Sequence, residues 1–106
     1  MVLSLRAGES FVSARKRLIK QGWEPITLHV TDDWGYYGVQ NLLVKRKIYE
    51  VESCSMDSAR CILYYKKSRK CLRVDTIGET VEAMEVTRWT QECPKPEDYS
   101  DPKLKK

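Results

Sequence analysis

The hydrophobic period of the chain changes near Ile48, from helical spacing upstream to alternation downstream. Upstream, Phe11, Val12, Ala14, Leu18 and Ile19 recur at helical intervals, with Arg15, Lys16, Arg17 and Lys20 on the polar side. Ser10 is placed to cap the first turn, and Gly22 supplies the residue past the last one. These signals predict a helix over 11–21. Trp23 is expected to fold back on it, while Pro25 forces an extended exit. A second helix is read over about 34–46, with Trp34, Tyr37, Leu42 and Leu43 on its apolar side and Asp32 or Asp33 as cap. Gly35 and Gly38 each weaken it by about 1 kcal/mol relative to Ala.

From Ile48 the period is 2. Tyr49 and Val51 alternate with Glu50 and Glu52, and Ser53-Cys54 closes the strand. A turn over 55–60 leads into a second strand, Cys61 to Lys66, and a polar turn Lys67–Lys70 into a third, Cys71 to Thr76, with Leu72 and Val74 facing inward. A fourth strand is expected over about 83–92. Met84 and Val86 share one parity there and Trp89 the other, which predicts a β-bulge near Thr87–Arg88. Helices first and strands last give an α+β fold, with two N-terminal helices on one face of a three- to four-stranded antiparallel meander. Residues 1–93 form the single domain. Residues 94–106, with Pro94, Pro96 and Pro102 among charged residues, read as a flexible tail.

The four cysteines, Cys54, Cys61, Cys71 and Cys93, sit at the ends of these strands. Their gaps of six, nine and twenty-one residues lack the close pairs of a structural zinc site. An even number without metal spacing points to two disulfides and an oxidising compartment. In an up-and-down meander Cys54 and Cys61 share one edge, and Cys71 and Cys93 the opposite one. Of the three pairings, only 54–61 with 71–93 joins cysteines at a common edge. A turn centred near Thr80 would, however, set Cys71 against Arg88, so Cys93 has to curl back past the strand end.

Composition adds little and excludes something. At 106 residues the chain holds one modest core, and 42% hydrophobic with 32% charged residues is ordinary for a globular domain. The net charge of +4 comes from 19 basic and 15 acidic residues interleaved along the chain, not from a dedicated phosphate stripe. No stretch is long and apolar enough to span a membrane, and Met1–Leu5 does not read as a signal peptide. A periplasmic or secreted protein whose signal has been removed fits the cysteines; a cytoplasmic one fits the Met start.

The run Arg6-Ala-Gly-Glu-Ser10, then Ala14-Arg-Lys-Arg-Leu18 and Gly22-Trp23, resembles the opening of a group of small secreted bacterial proteins sharing a G-x-S/T…A-R-x-x-L…G-W helix. Tyr49-Glu-Val-Glu-Ser-Cys54, with Cys61 following, looks like their next block. The helix start is also similar to the helix–turn–helix unit of β-lactamase inhibitor protein and of the small lipoprotein of the outer-membrane assembly machine. The resemblance implies two helices on an antiparallel sheet and a role in binding proteins rather than in catalysis. Met56-Asp57 depart from the small residues usual after the Glu-Ser-Cys-Ser block.

Candidate chemistry is sparse. His29 is the only histidine, which leaves triads and dyads one member. Asp32-Asp33 reads as a helix cap, and Glu50 with Glu52, which could pair as acids, reads as a solvated strand face. No nucleotide-binding, nucleophile-elbow or metalloprotease motif is present. Tyr64-Tyr65-Lys66-Lys67 superficially suggests a stacking platform, but adjacent strand residues face opposite sides, which disfavours nucleic acid. Trp34, Tyr36 and Tyr37 are the candidate partner-binding residues, since aromatic side chains anchor protein interfaces. The expectation is a non-catalytic, monomeric or weakly dimeric extracytoplasmic protein that binds or inhibits another protein, without metal or cofactor. A cytosolic immunity protein or antitoxin blocking a toxin's active site is the alternative.

Overall fold

The computed structural model describes residues 5–28, 38–55 and 58–94. Helix α1 (Phe11–Lys20) begins as the sequence predicts: Ser10 is extended and its hydroxyl accepts from the Ser13 N–H. It ends in a Schellman motif. Gly22, at φ 99°, donates to the Ile19 carbonyl, and the Trp23 N–H reaches back to the Leu18 carbonyl at 2.9 Å. Trp23 and Leu18 are both buried in the main core, so the turn that stops the helix also seats its apolar side.

Helix α2 (Gly38–Lys45) covers only the later part of the predicted second helix; residues 34–37 lie outside the described residues. It stops by the same device, with the Ile48 N–H bonded to the Leu43 carbonyl at 3.0 Å, but here Lys47 takes the left-handed position at φ 63°. Leu43 and Ile48 join the same core as Phe11, Ala14 and Leu18.

The sheet is antiparallel throughout, built from β1 (Glu24–Pro25), β2 (Val51–Cys54), β3 (Arg60–Lys67), β4 (Lys70–Ile77) and β5 (Glu85–Thr90). The predicted meander β2–β3–β4–β5 is present. The extended exit at Pro25 adds a strand to it: β1 and β2 share one edge of β3, at Tyr65–Lys66 and Cys61–Leu63 respectively. The outer edge of β5 is partly covered by the segment entering α1, where Gly8 donates to the Val86 carbonyl at 2.7 Å and Phe11 to that of Met84 at 2.9 Å.

Two irregularities aim the side chains. Asp75 pairs with Arg88 but Thr76 pairs with Val86, so Thr87 is the extra residue of a bulge, at the predicted place. Its hydroxyl donates to the Asp75 carbonyl at 3.2 Å. The bulge lets Val86 and Trp89 both turn to the core, and with the loop 78–84 it shifts the register enough to bring Cys93 to Cys71. The second irregularity lies between Val51 and Ser53. The strand starts at Val51, not at Ile48, so Glu50 belongs to the connection before it.

The disulfides are Cys54–Cys61 and Cys71–Cys93, the pairing that the meander order requires. Chain entropy assigns them about 2.5 and 3.4 kcal/mol. The fold is α+β and stapled at opposite ends of the sheet. Among the described residues no helix is long and apolar enough to cross a membrane.

Candidate functional site

The sheet has two unlike faces. Cys61, Leu63 and Tyr65 of β3 and Leu72, Val74 and Thr76 of β4 point into the main core beneath α1. The alternate positions form an outer face. At one end Ile26 and Leu28 bury Tyr64, with Ile62 and Cys71 at the margin. At the other end the outer face is open.

That open end is a groove of about 440 Å³, a size that can hold a small ligand or one projecting side chain, lined among others by Ser53, Ser55, Ser58, Arg60, Asp75 and Thr87. Arg73 also lines it. Arg73 and Asp75 stand two apart on β4, so they share a face, and the guanidinium forks onto the carboxylate at 2.8 and 3.2 Å. Arg88 adds a third contact at 3.6 Å, and Glu92 receives Arg73 at 3.4 Å. The hydrogen bond to Asp75 raises Arg73 above the usual guanidinium value despite partial burial, so its charge is permanent. Across the groove, Ser55 and Ser58 hydroxyls lie 2.5 Å apart and Ser55 accepts the Arg60 N–H at 3.3 Å. The Cys54–Cys61 bridge ties the base of this turn.

The groove therefore presents serine hydroxyls, the exposed Arg60 and the two N–H donors that Arg73 does not already spend on Asp75 and Glu92. Such donors can pair with acceptor groups, such as carboxylates or peptide carbonyls. Among the described residues, neither Ser55 nor Ser58 hydrogen-bonds to an imidazole or a carboxylate that could act as a base. Among the described residues no three His, Cys, Asp or Glu side chains cluster as metal ligands.

A second polar cluster is closed. Glu50 is fully buried: its Oε2 accepts from Arg15 Nε and from the Tyr65 hydroxyl, both at 2.6 Å, and its Oε1 from the other arm of Arg15 at 3.3 Å. This corrects two expectations. Glu50 and Glu52 are not a solvated pair, because the irregularity between Val51 and Ser53 separates them and Glu50 sits under α1. Arg15 is not a solvated helix charge, being 24% exposed and clamped on that carboxylate. Burial, and then the Glu50 charge, push the Tyr65 phenol well above its ordinary value of 10.0. Arg15 is raised too, since its hydrogen bond to Glu50 and the charge there outweigh the burial that opposes them. The cluster joins helix to sheet.

The predicted aromatic anchors Trp34, Tyr36 and Tyr37 lie outside the described residues, as do His29 and Asp32-Asp33. Sequence reading missed the groove. Its legible signals were Arg73-Val-Asp75, oppositely charged residues two apart in a strand, and, fifteen to twenty residues upstream, Ser53, Ser55 and Ser58. Compared with known proteins, the chain matches no family model, no curated protein and no solved structure.

Proposed function

We propose that the chain is a small extracytoplasmic protein that binds or inhibits another protein without catalysis. The observation that carries this reading is the open groove beside the Cys54–Cys61 bridge, whose Arg73 is held in place by Asp75 and Glu92. A partner would insert a carboxylate or a carbonyl-rich loop there. A preorganised guanidinium such as that of Arg73 rewards such acceptors because little side-chain freedom remains to be lost. The two disulfides favour an oxidising location over the cytosolic alternative.

The test is proximity cross-linking from position 58 in the native host, followed by reconstitution with the purified captured protein. Arg60→Glu should weaken the reconstituted complex at least tenfold with an unchanged melt. An Arg60→Glu variant that binds as wild type would remove the groove from the interface. Free thiols in protein taken from the host under acid quench would remove the extracytoplasmic assignment.

A further inference from the structure

The turn joining β3 to β4 lies at the end of the sheet away from the groove, and it is basic. Lys66, Arg69 and Lys70 are exposed around it. The end of α1 sits beside it: Glu24 pairs with Lys66 across β1 and β3, and the Lys67 stem passes over Gly22, where an added Cβ would stand 3.3 Å from Lys67 Cε. Lys16 and Lys20 are exposed one turn apart on the outer side of α1. Between them Ile19, at 42%, is the exposed large hydrophobic residue among those described. Among the described residues two carboxylates come near, Glu24 opposite Lys66 and Glu92, which is already bonded to Arg73. The balance of the described residues at this end is strongly positive.

We propose that this end adsorbs to a bilayer surface carrying anionic headgroups. Lys16, Lys20, Lys66, Arg69 and Lys70 supply the attraction, and Ile19 supplies an apolar contact at the headgroup level. The composition of the patch separates this from the other polyanions. Protein interfaces are depleted in lysine and enriched in aromatic residues and arginine, whereas the exposed charges here are lysines but for Arg69. Single-stranded nucleic acid is held by aromatic stacking, and among the described residues the exposed large hydrophobic side chain is the aliphatic Ile19. A diffuse lysine cluster with an aliphatic neighbour matches a charged lipid surface, where each basic residue near the surface adds a comparable increment. The proposal is independent of the protein-binding reading: the groove lies at the other end of the sheet and stays open when this end is against a membrane.

The experiment is co-sedimentation of the full chain with phosphatidylcholine vesicles containing about 30% phosphatidylglycerol, beside pure phosphatidylcholine. Binding is expected only to the anionic vesicles, and it should vanish at about 1 M salt, where charges are screened within a few ångströms. Lys66→Gln and Lys70→Gln should each lower the partition coefficient about fivefold. Ile19→Ser should lower it severalfold without any change in charge, an effect that simple counter-ion attraction does not produce. Lys45→Gln, at the C-terminal end of α2, makes the same charge change away from the patch and should have little effect. Melting curves establish that each variant is folded. Equal binding to both vesicle types, or equal loss for Lys45→Gln and Lys66→Gln, would overturn the proposal. So would stronger binding to a single-stranded oligonucleotide or to polyglutamate than to the anionic vesicles.

Discussion

Arg15 on α1 and Glu50 ahead of β2 meet through two hydrogen bonds, at 2.6 and 3.3 Å, across 35 residues of sequence. The carboxylate is completely removed from water and its remaining demand is met by Tyr65. A buried charge is tolerable only while its partners are present.

Arg15→Ala should therefore destabilise the protein by about 2–4 kcal/mol, because it strands the carboxylate. Lys16→Ala, one position on and exposed, should change the melt by less than about 0.5 kcal/mol. The double variant Arg15→Met with Glu50→Leu should lose less than Arg15→Ala alone, since no unpaired charge remains. Chemical denaturation of the three variants measures this. An Arg15→Ala variant as stable as wild type would mean that water reaches Glu50.

The helix and its surroundings show what a sequence carries and what it does not. Ser10, Gly22 and the spacing of Phe11, Ala14 and Leu18 act within a few residues of one another, so α1 was legible end to end. The parity switch between Val86 and Trp89 was a local signal too, and it located the bulge at Thr87. Glu50 was not legible. Its alternation with Tyr49 and Val51 matches a solvated strand face, and only the onset of pairing at Val51 and an arginine far upstream decide otherwise. The groove depends on the outer face being covered at one end by Ile26 and Leu28 and left open at the other, a tertiary outcome with no local signature.

The Tyr65 phenol gives the cluster a pH dependence. Its folded value is raised above the unfolded one, so its stabilising contribution is complete below about pH 10 and declines as pH rises beyond that toward the folded value. In the unfolded chain the phenol ionises near its usual value, while in the folded protein burial and the Glu50 charge hold its ionisation to higher pH. Stability should consequently fall above about pH 10, and Tyr65→Phe should show a shallower decline across that window despite lower stability at neutral pH. Equal slopes for the two proteins would show that Tyr65 ionises normally when folded.

The disulfides should be unequal. Replacing Cys71 and Cys93 by Ser opens the longer loop and should cost about 3.4 kcal/mol, against about 2.5 kcal/mol for Cys54 and Cys61. The shorter bridge should matter more for the groove, because it ties the turn bearing Ser55, Ser58 and Arg60. Non-reducing peptide mapping checks the pairing, and a 54–71 or 61–93 linkage would contradict the strand order.

Two left-handed positions should respond in opposite directions. Gly78 has φ 153°, and an added Cβ would stand 2.6 Å from Met84 Cα and 2.7 Å from the Ala83 carbonyl carbon and oxygen. These are backbone atoms of the loop that sets the β4–β5 register, and they cannot swing aside as a side chain could. Gly78→Ala should therefore displace the loop and cost more than about 2 kcal/mol. Lys47 takes φ 63° at the end of α2 with a side chain that strains there. Glycine is free of that strain, though it gives back some unfolded-state entropy, so Lys47→Gly should stabilise by up to about 1 kcal/mol. Thermal melts of the two variants decide it. A neutral Gly78→Ala would mean that the loop adapts around Met84, and a destabilised Lys47→Gly would mean that Lys47 contributes more than its position in the α2 stop accounts for.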